Sequence, residues 1–151
     1  MARATTAILI ASLLLAACGG GAAPGGVPGA PGIGNFKAKM PETMKPCDEA
    51  NKATPKALAS FKSGKQTLTE ARAVADAGVT ACEAALAAWE KMAMPEATAE
   101  ACLPEARAKV ELAHAQVAAL NHQMAKPYKT RIERASDDVG EAVKACKEAN
   151  K

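Results

Sequence analysis

Five cysteines, Cys18, Cys47, Cys82, Cys102 and Cys146, are the residues of this chain with the most constrained chemistry. A thiolate can ligate a soft metal or attack an electrophile, and two thiols can close a disulfide. No pair stands in the short C-x-x-C arrangement of zinc and iron–sulfur sites, and no C-x-x-C-H haem attachment sequence occurs. The two histidines, His114 and His122, would lie about 12 Å apart along one helix, too far to share a metal ion. H-E-x-x-H, G-x-S-x-G and Walker-type sequences are absent, so no catalytic residue is expected and the chain does not read as an enzyme.

The cysteines divide by context. Arg3 precedes an uncharged run, Ala4 to Ala17, rich in Ile, Leu and Ala. The run is shorter than the roughly 20 apolar residues a spanning helix needs, and it fits the h-region of a secretory signal peptide. Its end, Leu15-Ala16-Ala17-Cys18, resembles the bacterial lipobox. The resemblance covers residues 1–18 alone, and no family is recognised for residues 19–151. It implies that residues 1–17 are removed, that the Cys18 thiol takes a diacylglyceryl group, and that the new amino group is acylated. Several acyl chains, at about 0.8 kcal/mol per buried CH₂, make a lasting membrane anchor. Gly19 stands where an aspartate would favour inner-membrane retention in enteric bacteria, so the same resemblance points to the outer membrane, facing the periplasm or the cell surface.

From Gly19 the chain reads GGGAAPGGVPGAPGI, with almost nothing to bury. Residues 18–45 are therefore expected to be a lipidated, flexible Gly/Pro/Ala-rich linker, with a root-mean-square reach of about 30 Å. The net charge of +3 falls close to balance once residues 1–17 leave with Arg3, which argues against a nucleic-acid partner.

Residues 46–151 have the size of one domain. They are alanine-rich and almost free of β-branched runs, which favours helix. Ser63-Gly64, Met94-Pro95 and Lys126-Pro127 divide the domain into four pieces. Apolar stripes in steps of three and four run along each: Cys47, Ala50, Thr54, Ala57, Phe61; then Leu68 through Ala75, Cys82 and Ala85 to Trp89 and Met92; then Leu103, Ala106, Val110, Ala113, Val117, Leu120, Met124; then Tyr128 through Ala135 to Cys146. The expected fold is all-α, an antiparallel helical bundle of about four helices. Thr54-Pro55 reads as a cap and first-turn proline that could break the first helix, and Pro104 is expected to delay the third past Cys102. Glu70, Arg72, Asp76, Glu83, Lys109 and Glu111 fall off the stripes and read as solvated faces.

With Cys18 assigned to lipid, Cys47, Cys82, Cys102 and Cys146 read as two disulfides of an oxidising compartment. Counted from the Ser63-Gly64 end, Cys47 and Cys82 lie about 17 residues away, Cys146 about 19 and Cys102 about 24, within a slab on the order of 10 Å thick. Cys47–Cys82 with Cys102–Cys146 would combine one level pair with one badly offset pair. Cys47–Cys146 with Cys82–Cys102 spreads the mismatch, and the count favours it. The echo between Cys47-Asp48-Glu49-Ala50-Asn51-Lys52 and Cys146-Lys147-Glu148-Ala149-Asn150-Lys151 suits that choice too.

The expected role is that of a membrane-anchored envelope lipoprotein, structural or binding an envelope protein or polymer, with neither metal nor cofactor. The alternative is a periplasmic metal- or haem-binding bundle using His114, His122 or Met92-Ala93-Met94. Against it, Met124, the methionine nearest His122, does not face it on their shared helix. The terminal Lys151 resembles that of the murein lipoprotein family, which implies peptidoglycan as a partner, although that family is a short single-helix coiled coil.

Overall fold

The structure, a computed structural model, describes residues 35–151, so the expected signal peptide, Cys18 and the linker as far as residue 34 lie outside it. Four helices follow one another: α1 Phe36–Lys62, α2 Leu68–Glu90, α3 Glu96–Asn121 and α4 Lys126–Ala149. Each packs antiparallel on the next, and the described residues contain no strand. None of these helices is long and apolar enough to cross a membrane. The turns 63–67 and 122–125 mark the lower end of the bundle. The 91–95 turn, the start of α1 and the end of α4 mark the upper end.

The expected punctuation sets the helix ends. Gly64 adopts φ 71°, a left-handed conformation that suits glycine, and donates to the Phe61 carbonyl. Thr67 then opens α2 with a reciprocal capping box: its hydroxyl accepts from the Glu70 N–H while Glu70 accepts from the Thr67 N–H at 2.7 Å. That backbone bond, and next the Thr67 hydroxyl, hold the Glu70 carboxyl below its ordinary range. Pro95 and Pro127 flank the starts of α3 and α4, where a missing N–H costs nothing.

Three expectations about boundaries are corrected. The helical domain starts at Phe36, not at residue 46, so residues 36–45 are not linker. Phe36, Met40 and Met44 prolong the Cys47 stripe backwards and are buried with Trp89 and Ala85. The Trp89 indole N–H reaches across to the Met40 carbonyl at 3.2 Å and to the Thr43 hydroxyl at 2.8 Å. Nor does Thr54-Pro55 break α1. Thr54 is buried, and its hydroxyl donates to the Ala50 carbonyl instead of capping. Pro41, Pro46 and Pro55 are all exposed, where water can reach the carbonyls they leave free. Pro104, also exposed, lies inside a continuous α3 that starts at Glu96, ahead of Cys102.

The expected stripes of α1, α2 and α4 face the core. Helix α3 differs because it touches all three other helices, so one stripe cannot serve it. It also buries Thr98, Cys102, Glu105, Lys109, Leu112 and Gln116. Small residues on α2 let α1 approach closely: a Cβ on Gly78 would lie 3.5 Å from Thr54 Oγ1 and 3.6 Å from Ala50 Cβ.

Met44 is 2% exposed, so Met44→Ala is expected to cost about 2–5 kcal/mol in urea denaturation. A cost near zero would return residues 36–45 to the linker.

Candidate ligand groove between α1 and α4

The bridges are Cys47–Cys82 and Cys102–Cys146, each within one hairpin, which corrects the favoured Cys47–Cys146 and Cys82–Cys102 set. The apparent offset of Cys102 came from counting the 122–125 turn as helix. Cys102 lies 19 residues before the end of α3 at Asn121, and Cys146 lies 20 residues after the start of α4 at Lys126. In the first hairpin, Cys47 is 15 residues before Lys62 and Cys82 is 14 after Leu68. Both pairs are therefore level, and Cα separations of 4.5 and 4.4 Å hold the helices of each hairpin close together.

The echoed C-x-E-A-N-K stretches have a shared environment without sharing a bridge. The asparagine one turn after each cysteine turns its amide toward the sulfurs of its own disulfide. Asn51 Nδ2 lies 3.6 Å from Cys47 Sγ and 3.7 Å from Cys82 Sγ. Asn150 Nδ2 lies 3.2 Å from Cys102 Sγ, 3.4 Å from Cys146 Sγ and 3.0 Å from the Cys146 carbonyl.

One seam of the bundle stays open. Helix α1 packs on α2 and α4 on α3, while α1 and α4 make no close backbone approach among the described residues. A hydrogen bond from Lys37 Nζ to the Asn150 carbonyl, 2.9 Å, crosses the seam at its upper end. Below it opens a cavity of about 430 Å³, lined by Met40, Met44 and Asp48 of α1, Trp89 of α2, Glu105 of α3 and Cys146 of α4. A shallower hollow of about 310 Å³ continues the seam at the lower end, over Leu58, Gln116 and Ile132.

Between the two hollows sits a charge cluster. Lys109, expected on a solvated face, is instead buried, with its side chain 8% exposed. Its ammonium contacts Glu105 Oε1 at 2.6 Å, one turn back on α3, and Asp48 Oδ1 at 2.7 Å across the seam on α1. Two carboxylates share one ammonium, so the cluster carries a net negative charge. The sequence signal for it was the i, i+4 Glu105–Lys109 spacing, which is as common on exposed helix faces and could not by itself indicate burial.

The other candidates are not brought together. His114 Nε2 lies 3.3 Å from Glu83 Oε1 on an exposed face, and His122 stacks on Tyr128 with ring centroids 4.0 Å apart. Met92 and Met94 pack at the margin of the upper core, and Lys151 is exposed. Among the described residues no three His, Cys, Asp or Glu side chains converge as metal ligands. Comparison with protein-family models, curated proteins and solved structures finds no match to this chain.

Replacing either cysteine pair by alanine is expected to cost about 2–4 kcal/mol, nearly the same for both, because the enclosed segments of 35 and 44 residues differ little in closure entropy. Urea titration of the two double variants measures this. Lys109→Met strands Glu105 and Asp48 together and is expected to cost about 3 kcal/mol, the low end for a buried pair because Asp48 is 42% exposed. By the same titration the exposed Arg107–Glu90 pair should contribute less than about 1 kcal/mol.

Proposed function

We propose that this protein is a lipid-anchored lipoprotein of the bacterial envelope, at the outer membrane, whose helical domain has a non-enzymatic binding role. The observation that carries the reading is the cysteine pairing. All four cysteines of the helical domain are used in two bridges inside hairpins, which leaves Cys18 as the odd one, in the Leu15-Ala16-Ala17-Cys18 setting that acylation requires. Two disulfides also suit an oxidising space outside the cytoplasm. The anchor would hold the domain at the membrane through the glycine- and proline-rich segment after Cys18, with the open α1–α4 seam available to an envelope partner.

Mass spectrometry of the native protein tests the anchor. The expected result is a chain beginning at Cys18 and carrying acyl mass, with Cys18→Ala releasing the protein from the membrane fraction. An unmodified Cys18 in processed protein would overturn the reading.

A further inference from the structure

Lys37, Met40, Met44 and Asp48 follow one another on a single face of α1 in steps of three and four, and with Pro41 beside Met40 they line the upper cavity. Along that face the chemistry changes in order down the helix axis: a cation at the upper end, buried apolar side chains in the middle, and a half-exposed carboxylate at the lower end. Lys37 and Asp48 are separated by about 16 Å along the helix axis. The other walls repeat the order. Lys147 of α4 stands one turn below Asn150, to whose carbonyl Lys37 is bonded, Trp89 of α2 sits level with Met40, to whose carbonyl it is bonded, and Glu105 of α3 shares Lys109 with Asp48.

Charge is therefore segregated along the groove. The lower end keeps one net negative charge, because Glu105 and Asp48 share the single ammonium of Lys109. The upper end carries two ammonium groups. Lys37 uses one of its three N–H donors on the Asn150 carbonyl, which leaves two for a ligand.

We propose that this cavity binds a small zwitterion, a medium-chain ω-aminocarboxylate. Its ammonium lies against Asp48 and Glu105, its methylenes run along Met40, Met44 and Trp89, and its carboxylate meets Lys37 and Lys147. The volume of about 430 Å³ is in the range of small-molecule sites, roughly 300–1,000 Å³. A fatty acid entering carboxylate-last would press its tail against Asp48 and Glu105 and desolvate them without compensation. An alkylammonium would leave the upper lysines unanswered, and an α-amino acid holds its two charges too close together to reach both ends.

This ligand rests on the binding role of the helical domain but does not depend on acylation. Binding is tested on the full chain carrying Cys18→Ala, free of detergent. Trp89 is the one tryptophan of the sequence and lines the cavity, so its fluorescence reports occupancy directly. ω-Aminooctanoate should change the emission saturably. Octylammonium and octanoate, each lacking one charged end, should bind at least about tenfold more weakly, as expected for a lost hydrogen bond to a charged group. ω-Aminobutyrate should not bind.

Lys37→Met, at an exposed position, should lower the affinity for ω-aminooctanoate toward that of octylammonium, with Lys147 still in place, and leave octylammonium unchanged. Asp48→Asn should lower it toward that of octanoate, with circular dichroism showing that both variants keep their helix. No saturable change with ω-aminooctanoate, equal affinity for all three octyl ligands, or undiminished binding by the Lys37→Met variant would each overturn the proposal. Such a failure leaves the anchor reading standing, since that depends on acyl mass at Cys18.

Discussion

The two disulfides each tie a helix to its neighbour in the same hairpin, fixing the α1–α2 and α3–α4 faces, while α2 packs on α3 without a bridge. Alanine-rich helices bury little apolar surface per residue, so side-chain packing alone holds such hairpins weakly. A covalent link with a Cα separation near 4.5 Å forces the backbones together, and the small residues Ala71, Ala75 and Gly78 of α2 accept that approach. The pairing that the residue count favoured would have stitched α1 to α4 and closed the bundle into a ring. The observed one leaves the α1–α4 seam without a staple.

The upper end is held by a different device. Trp89 and Met40 are buried side by side, and the indole N–H finds two acceptors on α1. A buried tryptophan needs such a partner, and here the partners are a backbone carbonyl and a threonine hydroxyl in a segment that contains two prolines. The same contact that anchors the first turns of α1 places Met40 and Met44 along the cavity wall. Core packing and groove construction are thus one arrangement of residues seen from two sides.

Much of the fold was legible because periodicity and punctuation agreed. The stripes of α2 and α4 and all three turns could be read from spacing, from Gly64, and from Pro95 and Pro127. The departures have physical causes. Prolines at 41, 46, 55 and 104 signal a break only when the freed carbonyls would be buried, and these prolines face water. The disulfide pairing failed on the four turn residues 122–125, which shift one cysteine's apparent level by about one helical turn. Lys109 escapes a reading by stripes because helix α3 has neighbours on several sides. Its off-stripe positions are buried as well, which depends on how many helices surround it and not on its own sequence.

The buried charge cluster also explains why the open seam does not simply collapse. Moving α4 onto α1 would take Asp48 out of water together with Glu105, Lys109 and the Lys147 that α4 itself carries. Desolvating charged groups costs several kcal/mol for each ion. Asp48 remains 42% exposed, which is what a carboxylate needs when it shares its counter-ion. An apolar residue at position 109 would remove the ion pair between α1 and α3 and leave its two carboxylates in mutual repulsion. Lys109 thus bridges α3 and α1 along the seam, and the charges gathered there oppose closure of the two outer helices over it.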